Sequence, residues 1–312
     1  MYNIPVLFVF FNRKDVAKNT FNHIKKVQPS KLYLASDGPR ESIKQEQEVV
    51  EKIRKEILEL IDWPCDVKTR FLTSNLGCSL GVSTAVSWMF ESEDCGIVLE
   101  DDCVPTPGFF FYVKEMLNKY REDNRIGLIA GFNPIASRIK IEDSYCFSNY
   151  KSTWGWATWK RSWNNFDINM SWRNKPVENS ILSNMGLYNK DVNYWVYRIR
   201  AIDSGYVSSW DWQWFMSLSA QNQLTIYPKY NLISNIGFGK DSTHTVFNIR
   251  GGEITSSKDL EFPLQHPKYV IPNFEFEKAF HKRNNTFFNL MAQLLPFSVR
   301  SFIKKMLIKI KG

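Results

Sequence analysis

The sequence predicts an α/β protein whose mostly parallel, Rossmann-like sheet carries helices on both faces, and three observations lead there. Short uninterrupted apolar runs, such as residues 4–11 and 97–99, suit strands buried on both faces of a parallel sheet. Longer stretches between them place apolar residues at helical spacing, so strand and helix alternate. The run 97–99 then ends in Glu100, Asp101 and Asp102, and the ends of parallel strands are where open α/β sheets bind ligands.

Each element follows from its own residues. Residues 4–11 form the first strand. The segment has no basic stretch before it and no small-residue cleavage site after it, and it is too short to span a bilayer, so it does not read as a signal peptide. A helix starts near Asp15, with Val16, Thr20, Phe21, Ile24 and Val27 on one side, and Pro29-Ser30 ends it. Residues 31–36 form the second strand, stopped by the turn Asp37-Gly38-Pro39. Residues 41–61 make an amphipathic helix carrying Val49, Val50, Ile53, Ile57 and Ile61. A strand at 67–72, a loop at Asn75-Leu76-Gly77 and a helix at 80–90 lead to the fourth strand at 97–99. Pro105-Thr106-Pro107 then breaks the chain, a helix covers 109–120 and a short strand covers 126–131. Beyond Asn133 the alternation decays into aromatic, Asn-rich stretches suited to binding loops, with a helix at 212–220. No internal repeat or low-complexity linker interrupts the chain. The expected organisation is an α/β half at 1–132, a second half of the same domain at 133–277, and a tail at 278–312.

Composition narrows the function classes. A content of 44% hydrophobic and 23% charged residues is ordinary for a globular chain. Nine of the 11 Trp fall between Trp154 and Trp214, a cluster read mainly as core, with one or two rings left for sugar or base contact. Eight of the 40 basic residues and none of the 32 acidic ones lie in 278–312, so the net charge of +8 resides in that tail. A neutral body argues against a nucleic-acid groove, and a basic end favours an anionic surface. Five cysteines (Cys65, Cys78, Cys95, Cys103, Cys146) show no metal spacing and read as reduced thiols of a cytoplasmic protein.

Packed carboxylates repel one another and call for a cation; a hard divalent ion bridging to a diphosphate fits them. The motif order then resembles a known family. Phe11-Asn12-Arg13, Ser36-Asp37-Gly38, the stretch IVLEDDCVPTPGFFFYV at 97–113, Trp154-Gly155-Trp156, Trp210-Asp211-Trp212 and Gly237-Phe238-Gly239 succeed one another as in nucleotide-sugar glycosyltransferases of the GT-A fold. The likeness covers residues 4–245 and is nearest the N-acetylglucosaminyltransferase I type.

The resemblance implies a UDP-sugar donor and a bound Mn2+ or Mg2+. It assigns Asp102 to the metal, Asp101 to the ribose or a metal-bound water, and Glu100 to the donor sugar. Asp37 resembles the residue that meets the uracil ring, although Asp also favours such turns for local reasons. Arg13 resembles an arginine beside the nucleotide; a helix-start surface charge is the plainer alternative. Asp211 is the candidate general base of an inverting transfer, since flanking rings lower the local dielectric around it; an N-capping Asp is the competing role. The family carries two adjacent acids at this point, whereas here Trp212 follows Asp211. His244 falls in a Gly-containing loop where such enzymes keep a lid over the donor.

The expected acceptor is a glycan or lipid-linked glycan of surface polysaccharide synthesis. Two rivals stand beside this expectation. A nucleotidyltransferase would usually show a Gly-rich phosphate loop, which Phe11-Asn12-Arg13-Lys14 lacks. A non-catalytic glycan-binding protein has no need of three acids at a buried strand end. In the tail, Val299, Phe302, Ile303, Met306, Leu307 and Ile310 share one helical face, with Arg300, Lys304, Lys305, Lys309 and Lys311 around it. That pattern predicts an amphipathic helix on the inner face of an anionic membrane, with docking on the body as the alternative.

Overall fold

The computed structural model describes residues 2–237 and 257–286, together with Pro296, Phe297 and Val299. His244, Phe238-Gly239 and, Val299 excepted, the helical face of the tail therefore lie outside the described residues, although Phe297 packs against Tyr197 and Tyr206 with ring centroids 5.2 and 5.3 Å apart.

The predicted α/β architecture, a mostly parallel sheet with helices on both faces, is the one observed. Strands β1 (Val6–Phe10), β2 (Lys31–Ser36), β3 (Asp66–Phe71) and β4 (Cys95–Glu100) alternate with helices α1 (Lys14–Val27), α2 (Glu46–Glu59) and α3 (Gly77–Ser92). The chain continues through β5 (Cys103–Pro105), α4 (Pro107–Lys119), β6 (Ile126–Ala130), β7 (Tyr145–Ser148), β8 (Trp156–Trp159), α5 (Lys160–Trp163) and α6 (Glu178–Ser183). It then adds α7 (Asn189–Asp203), α8 (Asp211–Ala220), β9 (Leu224–Pro228), β10 (Ile233–Asn235) and α9 (Phe274–Asn284). Eight strands form one sheet in the order β3-β2-β1-β4-β8-β6-β9-β7, and β10 pairs with β5 beside it.

Right-handed crossovers dictate the layers. The chain steps from β1 to β2 to β3 in one direction, which puts α1 and α2 on one face. It then returns to the far side of β1 to form β4, which puts α3 on the other face. The side chains agree. Val6, Phe8 and Phe10 join a core with Phe21, Ile24, Ile53 and Ile57, while Leu7 joins a second core with Val82, Val86 and Met89. Strand β1 is thus apolar on both faces, as its sequence requires.

The second half completes the sheet rather than forming a separate body. Strand β8 inserts antiparallel between β4 and β6, pairing Val98 with Trp156 and Ile129 with Ala157. Trp156, Trp163, Trp210 and Trp214 pack together beneath it, so most of the tryptophan cluster is core. Along the edge, α9 lays Phe276 and Phe280 against Tyr227 and Tyr150. All five cysteines are unpaired. Among the described residues no helix is long and apolar enough to cross a membrane.

Candidate functional site

The reversal of strand order between β1 and β4 opens a crevice at their C-terminal ends, where backbone groups and following loops diverge. A cavity of about 1290 Å³ occupies it. Its walls are the turn after β1 (Phe11, Asn12, Arg13), the loop after β2 (Asp37, Arg40), the start of α3 (Gly77, Cys78) and the acids ending β4 (Glu100, Asp101).

Glu100 closes β4 opposite Val9, and Asp101 and Asp102 form the turn into β5. Thr20 donates to the Asp101 carbonyl at 2.6 Å and Ile236 N–H to the Asp102 carbonyl at 2.9 Å, which fixes the turn from both sides. Arg13, one turn past β1, reaches across. Its Nε donates to Asp101 Oδ2 at 3.3 Å, and its Nη2 reaches Asp101 Oδ1 and, at 3.0 Å, Asp102 Oδ2. Burial works against the Arg13 charge, yet Asp101 and Asp102 outweigh it and hold the guanidinium protonated.

The acids answer differently to the same surroundings. Burial, followed by repulsion from Asp102, Asp101 and Asp211, pushes the Glu100 carboxyl up to about 8, with Arg13 only partly opposing. Burial also raises Asp101, to about 6, against the pull of Arg13. Cys78, in the first turn of α3, is pushed up by burial and then by Glu100, Asp211, Asp102 and Asp37.

Asp211 reaches this place because α8 is the crossover helix into β9, and its N-terminus opens at the same sheet end. Ser209 Oγ donates to Asp211 Oδ1 at 2.6 Å and accepts from Trp212 N–H at 3.2 Å. The serine therefore does the capping, and the Asp211 carboxylate caps nothing. Trp210 is buried in the tryptophan core, while Trp212 is partly exposed under the Arg198 guanidinium, 4.2 Å from its ring centre.

Asp37 lines the cavity, but its carboxylate is turned to the backbone. It accepts the N–H groups of Gly38 and Gly77 at 2.9 Å each, and that of Leu76 at 2.9 and 3.1 Å. It thus satisfies unpaired donors at the N-terminus of α3. The local and the ligand-facing roles expected of this residue meet at one side chain, with the local one visibly filled.

Sequence reasoning passed over the residues that hold this wall. Glu46 is 4% exposed and accepts from Arg40 N–H at 2.7 Å and Asn12 Nδ2 at 2.9 Å, besides the Arg40 side chain. Arg54 donates to the carbonyls of Ser36, Asp37 and Leu72 at 3.1, 2.8 and 2.7 Å, tying the ends of β2 and β3 together. A signal existed: Glu46 and Arg54 sit at the helical spacing of Val50, Ile53 and Ile57, so charged residues interrupt the buried stripe of α2.

Among the described residues, no three His, Cys, Asp or Glu side chains are arranged as a metal cage. The acids fit a different mode. Mg2+ and Mn2+ are commonly held by one or two carboxylates plus substrate phosphates and water, and the Asp102 side chain is 17% exposed beside the cavity.

No protein-family description and no curated protein matches the sequence. Solved structures match at low identity. A mannosyltransferase of Pyrobaculum calidifontis in complex with GDP-Man and Mn2+ matches at 10% identity and TM-score 0.33, over 50% of this chain and 44% of that one. Mouse xyloside xylosyltransferase 1, apo form, matches at 9% and 0.38, over 71% and 83%. The 4-diphosphocytidyl-2C-methyl-D-erythritol synthase of Anaerococcus prevotii matches at 9% and 0.31, over 52% and 73%. This chain thus spans less than half the length of the mannosyltransferase, and likeness of this size carries nothing about activity.

Proposed function

We propose that this chain is a nucleotide-sugar glycosyltransferase of the type represented by N-acetylglucosaminyltransferase I. It takes a UDP-sugar and passes a hexosyl or N-acetylhexosaminyl unit, with inversion, to a glycan or lipid-linked acceptor in surface polysaccharide synthesis. One observation carries this reading: Glu100 and Asp101 line a cavity of about 1290 Å³ at the switch-point crevice, and Arg13 bridges Asp101 to Asp102 there. That volume is ample for a nucleotide and a sugar, given that small-ligand pockets run to roughly 300–1,000 Å³.

Each side chain has a task. Asp102 would hold the divalent ion, Mn2+ or Mg2+, which would supply neutralisation of the diphosphate's charge. Arg13 faces the diphosphate and Asp101 aims it. Asp37 fixes the loop that walls the nucleoside through its bonds to the Gly38, Leu76 and Gly77 N–H groups. Glu100 faces the donor sugar. Asp211, with Oδ1 fixed by Ser209, offers Oδ2 to the acceptor hydroxyl, takes its proton and leaves the oxygen to attack opposite the diphosphate. For His244, which lies outside the described residues, the family resemblance alone supports a contact with the diphosphate or the metal. The basic, amphipathic pattern of 298–311 supports a seat on the inner face of an anionic membrane, within reach of a lipid-linked acceptor.

The test is a thermal-shift panel of UDP-, GDP-, CMP- and dTDP-linked sugars with and without Mn2+. Ligands of the native state raise apparent stability. The UDP-sugar should raise Tm only with Mn2+ present. A protein stabilised by nucleoside triphosphates and indifferent to nucleotide-sugars belongs to the nucleotidyltransferase class instead.

A further inference from the structure

The acid cluster already contains a cation, and it belongs to the protein. Arg13 Nη2 is shared between Asp101 Oδ1 and Asp102 Oδ2, and Nε adds a second bond to Asp101. Main chain lies against the same Asp102 oxygen, while Cys103 Sγ meets Oδ1 at 3.5 Å. A β-carbon at Gly237 would stand 2.1 Å from Asp102 Oδ2 and 3.0 Å from Arg13 Nη1, so only glycine permits this approach. The segment is pinned there by Ile236 N–H on the Asp102 carbonyl and by Gly237 N–H on Asn235 Oδ1, each at 2.9 Å. The oxygen that would take a metal ion is therefore flanked by a guanidinium and a backbone, and a dication arriving there meets a fixed positive charge.

We propose that Arg13 is an internal counter-cation that withholds Asp102 from free divalent metal and releases it when a nucleotide diphosphate arrives. The proposal rests on the metal–diphosphate reading of the site and adds the order in which the site fills. A diphosphate presents the guanidinium with paired acceptor oxygens that match its fork. Arg13 can then leave Asp102 without losing a charge partner, and the vacated carboxylate takes the ion. Nucleotide and metal each tighten the other by the same factor, as linkage requires, and Arg13 is the coupling element.

The experiment is Mn2+ binding, followed by the electron paramagnetic resonance signal of the free ion, for wild type and Arg13→Gln, each alone and with saturating UDP. Wild type should bind Mn2+ at least about tenfold more tightly with UDP than without, as expected when about a tenth or less of the free protein is competent. Arg13→Gln should bind Mn2+ alone at least about tenfold more tightly than wild type, and its gain on adding UDP should be correspondingly smaller than that of wild type. Two results overturn the proposal while leaving the functional reading intact: equal Mn2+ affinity of wild type with and without UDP, or Arg13→Gln behaving as wild type. If neither protein takes up Mn2+ with UDP, GDP, CDP or dTDP, the functional reading fails and this proposal falls with it. Should Arg13→Gln not fold, Arg13→Met, which keeps the apolar stem and removes the charge, carries the same comparison.

Discussion

Two neighbourhoods of buried acids lie at opposite ends of this chain's logic. At the edge of the sheet, Asp191 is 1% exposed and accepts from Tyr150 Oη, His281 Nδ1 and Asn285 Nδ2 at 2.9 Å each, and from the Leu187 and Tyr188 N–H groups at 3.1 Å. Its neighbour Glu277 accepts from Ser148 and the Asn149 N–H at 2.6 and 2.8 Å. These carboxylates are surrounded by donors, and they clasp α9 and α7 to β7. At the end of β4 other acids surround each acid, with Arg13 among them, and repulsion adds to burial in driving Glu100 and Asp101 upward, whereas Glu277 is raised by burial alone and drawn back by its donors. A buried polar group with a full set of partners holds a fold together, whereas converging like charges cost stability unless a ligand relieves them. The contrast marks the first cluster as structural and supports the proposed chemical role of the second.

Activity and stability should separate along that line. The largest effect is expected at Asp211. Asp211→Asn keeps the size and the Ser209 contact but removes the proton acceptor, so turnover should fall by roughly 10²–10⁴-fold. Steady-state kinetics with the donor identified by thermal shift would show this, with donor KM little changed. Normal turnover per folded molecule would move Asp211 into the structural class. Next comes Asp191→Ala, which strands the Tyr150 hydroxyl and two backbone N–H groups. Urea unfolding should register a loss of about 3–5 kcal/mol. An unchanged midpoint would erase the distinction between the two clusters.

The smallest effect has the opposite sign. Glu100 has a folded-state value of about 8 against an ordinary 4.5. The folded protein therefore keeps a proton that the unfolded chain gives up between those values. Its contribution is intact below pH 4.5 and is lost as pH rises through 8. Glu100→Gln cannot ionise, so its Tm should match the parent at pH 4 and exceed it by at least about 2 °C at pH 9. A lead that does not grow with pH would mean that Glu100 has company the converging acids do not reveal.

How much of this was legible in the sequence follows from how local each signal is. The observed β2 spans Lys31–Ser36 as expected, and α4 and β6 lie within a residue or two of expectation. There the apolar runs are uninterrupted and their crossovers are helices. Strands β7, β8 and β9 were not legible. They are four or five residues long and buried throughout. The insertion of β8 between β4 and β6 is decided by partners distant in sequence. The acids, Arg13 and Asp211 could be found because strand ends and a Trp-flanked acid mark themselves. Glu46 and Arg54 resemble a polar helix face until the stripe of α2 is seen to pass through them. Gly237 gives no sign of its contact with Asp102, since close approach of backbone to side chain leaves no periodic trace.

The account stands most directly on one titration: UDP into wild type and into Asp102→Asn, followed calorimetrically, each with and without Mn2+. Asp102→Asn removes the charge that holds the ion while retaining the side-chain volume. Wild type should bind UDP with Mn2+ and lose most of that affinity without it, and Asp102→Asn should bind weakly under both conditions while melting at the wild-type temperature. UDP affinity that is the same in both proteins, with Mn2+ present, would contradict the assignment of the β4 acids to a metal-bound nucleotide.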